Sequence, residues 1–188
     1  MTIVLASASP RRAELLAAAG YRFVVRAMDV DERVRLGERP DEYVQRLASA
    51  KSAAAHDPSA ADLVTLGADT AVVINGAILG KPVDEADGGA MLRQLSGREH
   101  EVLTGISIRN GARELVHVER TLVEFAPLGN EDIAWYVKSG EGRDKAGGYA
   151  IQGLCSRFIP RIDGSYSNVV GLPIAAVATL IRALMEPR

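Results

Sequence analysis

The stretch Ala6-Ser7-Ala8-Ser9-Pro10-Arg11-Arg12 sets hydroxyls and guanidiniums side by side in a short turn. The apolar run Ile3-Val4-Leu5 precedes it, and Ala13-Glu14-Leu15-Leu16-Ala17-Ala18-Ala19-Gly20 follows. This pattern predicts strand, turn and helix, with Ser9 at the N-cap, Pro10 in the first helical position and Gly20 at the C-terminal cap. Arg11 and Arg12 then occupy the first helical turn, where the macrodipole is already positive and cations are disfavoured. A bound anion reconciles that placement, because backbone N–H groups, hydroxyls and guanidiniums would all face one phosphate-sized ligand. A capped surface helix with two solvated arginines is the competing reading.

Four further side chains bear on the same chemistry. Asp69 falls between the apolar segments 63–67 and 71–74, flanked by Gly67 and Thr70, and a carboxylate there is costly unless paired, hydrated or bound to a cation. The plainer alternative is a bulge residue satisfied by backbone amides. Lys51 interrupts the apolar stripe of Val44, Leu47, Ala48 and Ala55 at helical spacing. Either its stem snorkels along the stripe or its ammonium reaches a buried anion. Lys81 is held extended by Pro82, and Glu32 closes the acidic run Asp29-Val30-Asp31-Glu32, which suits a hard cation such as Mg²⁺ or is simply solvated.

Jointly these residues point to a polyphosphate site. Arg11, Arg12, Lys51 and Lys81 supply positive charge, while Asp69 and Glu32 supply carboxylates for a metal and for deprotonating a water. Spacing alone leaves open whether they converge. The P-loop, dinucleotide-binding, zincin and nucleophile-elbow motifs are absent from the chain. His56, His100 and His117 lack metal-ligand spacing and read as structural or solvated, and Trp135 reads as packing.

The elements that must position these groups follow from periodicity. Short strands are predicted at 21–25 and 63–74, the latter interrupted at 68–70, with a charged loop over 28–39 and a helix from Pro40 to about His56. Asn75-Gly76 predicts a hairpin returning through 77–79, and Asn110-Gly111 predicts a second between 101–108 and 115–125. Helices are expected from Asp84 to Leu95, from a cap at Asn130 to Gly140, and after Pro173. Tyr149–Ile151 and Arg157–Ile162 look like short strands, with a polar stretch Ser165-Tyr166-Ser167-Asn168 behind them. The mixture predicts an α/β protein built on a mixed sheet, with no repeat and no linker long enough to separate domains.

Composition bounds the partners. Among 188 residues, 47% are hydrophobic and 24% charged, which suits a soluble globular chain with a real core. A net charge of −2 argues against sequence-independent nucleic-acid binding. The lone Cys155 excludes an internal disulfide and a cysteine zinc site and fits a reducing compartment. No apolar run has the length of a membrane span and no secretory signal opens the chain, so the expectation is a cytoplasmic protein without membrane partners.

The same residues carry a family resemblance. The chain resembles the Maf family of nucleoside triphosphate pyrophosphatases, also described as septum-formation inhibitors. The match runs through 5–12, Gly67-Ala68-Asp69-Thr70, Gly80-Lys81-Pro82, Leu95-Ser96-Gly97, Asp144-Lys145-Ala146-Gly147, 149–153, Gly164-Ser165-Tyr166 and 169–173, in order along nearly the whole chain. The resemblance implies a single Maf-like nucleotide pyrophosphatase domain over residues 1–188. Its fold would be the inosine-triphosphatase-like (Maf/Ham1) α/β architecture, an elongated mixed sheet flanked by helices with the active-site cleft between two lobes, usually as a homodimer.

The implied activity is hydrolysis between the α- and β-phosphates of a nucleoside triphosphate, giving a monophosphate and pyrophosphate. Asp69 would be the proton acceptor that activates water. Ser7, Arg11, Arg12, Lys51 and Lys81 would bind the triphosphate, and Glu32 with Asp69 would hold a divalent cation, Mg²⁺ or Mn²⁺. Arg12, Thr70 and Gln152 match the branch associated with dTTP and UTP. The branch associated with 7-methyl-GTP has a different residue after the motif Asp and lacks the D-K-A-G…I-Q-G pattern. Gln152 donates and accepts at once, which suits the O4 and N3–H edge of thymine or uracil. Two alternatives stand beside this reading: a pyrophosphatase for other non-standard nucleotides such as 7-methyl-GTP, and a nucleotide-binding regulator of cell division.

Overall fold

The computed structural model describes residues 1–60 and 63–186. In chain order the elements are β1 (Thr2–Leu5), α1 (Pro10–Ala18), β2 (Phe23–Val25), α2 (Pro40–Ala55), β3 (Leu63–Ile74), β4 (Ala77–Leu79), α3 (Glu85–Leu95), β5 (Glu99–Asn110), β6 (Arg113–Glu124), α4 (Asn130–Ser139), β7 (Arg161–Asp163), α5 (Tyr166–Val170) and α6 (Ile174–Met185). The strands form one mixed seven-stranded sheet, hydrogen-bonded in the order β2-β1-β3-β5-β6-β7, with β4 on β3. β1 runs parallel to β2 and β3, whereas β4 is antiparallel to β3 and β7 to β6. The expected α/β class, a mixed sheet flanked by helices, is what the chain adopts.

Two compact units share this sheet. The first comprises Met1–Thr70, Thr104–Glu119 and Gly171–Arg188, and the second Ala71–Leu103 and Arg120–Val170. In the first, Ile3, Leu5, Leu16, Val64, Leu66, Ile106, Ile108, Leu172 and Val177 make the core. The helix α2 meets β3 and β5 of this unit at unusually close range, and two glycines make that possible. A Cβ on Gly67 would stand 2.2 Å from the Ala48 carbonyl oxygen, and one on Gly105 would stand 2.2 Å from that of Val44. Any side chain at either position would push the helix backbone away.

The second unit packs Val72, Leu92, Leu95, Val102, Val123, Phe125, Tyr136 and Tyr149 together. His100, Phe125 and Tyr149 meet edge to face or tilted at 5.0 to 5.4 Å between ring centroids, with His100 Nε2 2.7 Å from the Tyr149 hydroxyl. Burial lowers the His100 imidazole to about 4, so it is neutral at pH 7. The backbone N–H of Gly147 donates to the Gly80 carbonyl at 2.9 Å, fastening the loop that bears Lys81 to the loop 144–148.

Several local expectations are corrected. β3 is continuous from Leu63 to Ile74, so Asp69 sits inside a strand rather than in an interruption. Ser9 occupies the N-cap of α1 without a side-chain capping bond; the Ser7 hydroxyl accepts the Ser9 N–H instead, at 3.3 Å. Gly129, not Asn130, caps α4. Tyr149–Ile151 is not a strand, and Leu154–Phe158 forms a 3₁₀ turn before the short β7. The polar stretch at 165–168 enters α5, which is one short helical segment. Apolar character in 149–162 comes from burial of Tyr149, Cys155 and Phe158, which alternation alone does not separate from a strand.

Candidate active site

The site in the first unit is built on one face of β3. Side chains alternate along a strand, so Thr65, Gly67 and Asp69 share a face. Each meets α2 or its end: Thr65 Oγ1 lies 3.1 Å from His56 Nδ1, Gly67 lies under Ala48 and Ser52, and Asp69 Oδ1 accepts from Lys51 Nζ at 2.6 Å. The glycine contact thus sets how closely the Lys51 ammonium approaches the Asp69 carboxylate. Both side chains are about nine-tenths buried. A buried ion pair of this kind is weak evidence for stability, because desolvation offsets much of the attraction.

A third charge completes the cluster. Glu32 Oε1 lies 2.6 Å from the same Lys51 Nζ, although the Glu32 side chain is 55% exposed. Burial raises the Asp69 carboxyl above its ordinary range, opposed by the charges of Lys51 and then Arg12. The Tyr43 hydroxyl, on the same helix, is pushed up to about 12, by burial first and then by the negative charges of Asp69 and Glu32.

Arg12 approaches β3 from the N-terminal loop. β1 pairs with β3 so that Leu5 stands beside Leu66, and the Ala6 N–H donates to the Leu66 carbonyl at 2.8 Å. The chain then turns through Ser7 into α1, bringing the Arg12 guanidinium back to the strand. Its Nε donates to the Gly171 carbonyl at 2.8 Å, its Nη1 to the Ser7 hydroxyl at 3.0 Å and the Ala68 carbonyl at 2.9 Å, and its Nη2 to Thr70 Oγ1 at 3.1 Å. Thr70 Oγ1 also lies 2.9 Å from Thr104 Oγ1. Arg12 is only 9% exposed, and burial depresses its basicity while Asp69 opposes that. The misplaced charge in the first helical turn therefore has a structural answer for Arg12: it faces carbonyl and hydroxyl oxygens on either side of Asp69. Arg11 is half-buried in the same turn.

Of the residues singled out by sequence, Ser7, Arg12 and Thr70 are joined by direct contacts, as are Glu32, Lys51 and Asp69, and the two groups meet where Asp69 and Thr70 adjoin on β3. Lys81 and Gln152 belong to the second unit, where both are exposed. Sequence reasoning missed Thr104, the Gly171 carbonyl, and the α2 side chains Tyr43 and Arg46, which hold the loop carrying Glu32. Only Gly171 had a signal, through its place in the Val169–Pro173 motif.

Glu32 and Asp69 are the carboxylates here that could hold a divalent cation. Two carboxylates already converge on one cationic centre, the Lys51 ammonium. Among the described residues no set of three His, Cys, Asp or Glu side chains forms a protein cage. One or two carboxylates, with waters and substrate phosphates completing the shell, is the donor set Mg²⁺ favours.

A family model described as Maf-like protein matches residues 2–184. A protein of Symbiobacterium thermophilum named dTTP/UTP pyrophosphatase is 50% identical over 187 residues, covering 98% of this chain and 95% of its own length. One of the same name from Anaeromyxobacter dehalogenans is 52% identical over 184 residues, covering 96% of this chain and 92% of its own. Among solved structures, the Staphylococcus aureus Ham1 protein matches with a TM-score of 0.53 at 17% identity, covering 97% of this chain and 99% of that one, a likeness of fold. With the family model spanning nearly its whole length, the chain belongs to the Maf-like protein family.

Proposed function

We propose that this protein is a nucleoside triphosphate pyrophosphatase that hydrolyses dTTP and UTP to the monophosphate and pyrophosphate, with Asp69 as general base. The observation that carries the reading is the buried Lys51–Asp69 pair with Glu32 on the same ammonium, Asp69 standing in the Gly67–Thr70 stretch that carries the family resemblance. The names of relatives about 50% identical over almost the entire chain support the substrate class.

The chemistry requires a water to attack a phosphorus of the α,β-anhydride and lose a proton while the bridging P–O bond breaks, leaving the monophosphate and pyrophosphate. Asp69 takes that proton; burial raises its carboxyl, which makes it a stronger base, and the Lys51 charge opposes that rise. Glu32 and Asp69 would hold the divalent cation, whose contribution is to offset charge on the phosphate oxygens. Arg11, Ser7 and Lys81 bind the triphosphate as cations and a hydroxyl donor. Arg12 acts chiefly on β3, fixing Ala68 and Thr70 and so the base between them. Gln152 reads the pyrimidine edge.

Asp69→Asn tests the assignment. It should lower the rate of pyrophosphate release by 10²-fold or more, the scale of a lost general base, while nucleotide affinity by calorimetry stays within a few-fold. Full turnover in that variant would remove Asp69 from the role. A panel of dTTP, UTP, CTP, 7-methyl-GTP and ITP with the wild-type protein, each with Mg²⁺ and Mn²⁺, should give highest kcat/KM for dTTP and UTP. A preference for 7-methyl-GTP or ITP would overturn the pyrimidine reading.

A further inference from the structure

Residues 26–39 form a long segment without helix or strand, and they carry Glu32. Segments of this length inside a folded unit are usually either functional or disordered. This one is fastened to α2 at successive peptide units around Glu32. The Tyr43 hydroxyl donates to the Glu32 carbonyl at 3.0 Å. Arg46 Nη1 donates to the Asp31 carbonyl at 3.4 Å, and its Nη2 to the Arg33 carbonyl at 3.1 Å. The same guanidinium forks onto the Glu38 carboxylate, Nε to Oε1 and Nη2 to Oε2, the latter at 2.8 Å.

The burial of this pair sets it apart from the other ion pairs on the segment. Arg46 and Glu38 side chains are 19% and 8% exposed, whereas Arg33 and Asp31 are 88% and 62% exposed. Exposed pairs contribute little, but a bidentate guanidinium–carboxylate fork fixes geometry as well as energy. The Arg46 guanidinium also lies 5.6 Å from the Tyr43 ring centroid, so the two clamps support each other. Tyr43 and Arg46 stand on the helix that bears Lys51, the residue to which the Glu32 side chain is joined. One rigid element therefore holds the loop backbone on both sides of Glu32 and also presents the ammonium that its carboxylate meets.

We propose that Arg46, with Tyr43 and Glu38, is a positioning residue that holds the Glu32 carboxylate against the Lys51–Asp69 pair, so that α2 sets the effective affinity of the site for its divalent cation. The proposal rests on the reading of Glu32 as a metal ligand. Among the described residues, Arg46 reaches the loop backbone, Glu38 and the Tyr43 ring, so its effect should appear in metal dependence and loop order rather than in the chemical step.

Arg46→Ala should raise the Mn²⁺ concentration for half-maximal pyrophosphate release by about tenfold or more, the usual scale for residues that orient a metal ligand, with kcat at saturating Mn²⁺ within a few-fold of wild type. Two readouts do not depend on turnover. Tryptic cleavage after Arg33 and Arg35 should accelerate about tenfold, tracking the open population of the loop. Binding of Mn²⁺ in the presence of an α,β-imido analogue of dUTP, followed by the electron paramagnetic resonance of free Mn²⁺, should weaken in parallel. Arg46→Lys keeps the charge but loses the fork, and should restore neither. Tyr43→Phe, which removes only a hydroxyl, should move both in the same direction by a smaller factor and covers the case in which Arg46→Ala does not fold. Wild-type protease resistance and an unmoved Mn²⁺ midpoint in both variants would overturn the proposal. Glu32→Gln separates it from the reading beneath: an unmoved Mn²⁺ midpoint there removes Glu32 as a ligand and with it the metal effect of Arg46, whereas a raised midpoint there with none in Arg46→Ala overturns the positioning role alone.

Discussion

At the scale of single residues, Arg12 is committed to contacts within its own fold. Arg12 spends its donors on carbonyls of Ala68 and Gly171 and on hydroxyls of Ser7 and Thr70, with geometry that only a planar fork satisfies. Removing it takes a donor from each of these acceptors, a net loss of about 0.5–1.5 kcal/mol per hydrogen bond. Arg12→Ala should therefore lower the urea unfolding free energy by about 2–4 kcal/mol, in addition to any effect on nucleotide binding, and Arg12→Lys should recover only part of it. If the urea midpoint of Arg12→Ala matched wild type while nucleotide affinity collapsed, Arg12 would be a substrate ligand rather than a clasp. Lys51 is the converse case, a cation whose ammonium meets two carboxylates and whose removal leaves Asp69 buried without its ion-pair partner.

At the scale of elements, the approach of α2 to the sheet sets the Lys51–Asp69 geometry. Gly67 and Gly105 let the helix backbone sit where any Cβ would collide with it. Gly67→Ala must either shift α2 or distort β3, and overpacking of this kind costs about 1–3 kcal/mol or more. Because Ala48 and Ser52, the residues struck, lie within one turn of Lys51, the displacement falls on the site itself. Gly67→Ala should lower Tm by several degrees and kcat by more than the stability loss explains, measured below the unfolding transition. An alanine variant with wild-type kcat and Tm would show that α2 stands further from the strand. The glycine beside the motif Asp thus has a packing reason independent of any ligand.

At the scale of the whole molecule, the balance of buried titratable groups gives stability a pH dependence. His100 is 2% exposed, and its Nδ1 has no partner among the described residues, while its other nitrogen meets the Tyr149 hydroxyl. Burial holds its folded-state value at about 4, below the ordinary 6.5. Between those values the unfolded chain binds a proton that the folded chain refuses, so this contribution is present above pH 6.5 and is lost as pH falls toward 4. His100→Gln should flatten the decline of the urea midpoint between pH 6.5 and 4.5 relative to wild type; parallel declines would show that other groups govern the acid limb. Among the described residues no helix is long and apolar enough to cross a membrane.

How much of this was legible in the chain differs by feature. Composition, turn chemistry and local propensity predicted the α/β class, most helices and both hairpins, and residue type singled out Ser7, Arg11, Arg12, Glu32, Lys51, Asp69 and Lys81 as candidates, whereas Thr70 and Gln152 entered through the family resemblance. Lys51 was recognisable because a charge in an apolar stripe demands a partner, but the stripe does not name that partner. Tertiary structure decided that Asp69 and Glu32 meet one ammonium, since strand pairing and helix approach bring together residues far apart in sequence. It decided that Arg12 faces protein oxygens, because the acceptors come from β3 and from Gly171, at the other end of the chain. It also revealed Tyr43, Glu38 and Arg46, whose role depends on the path of a loop without periodicity. Residue type states what a side chain could do; only the packing of backbone against backbone, here at Gly67, fixes what it does it to.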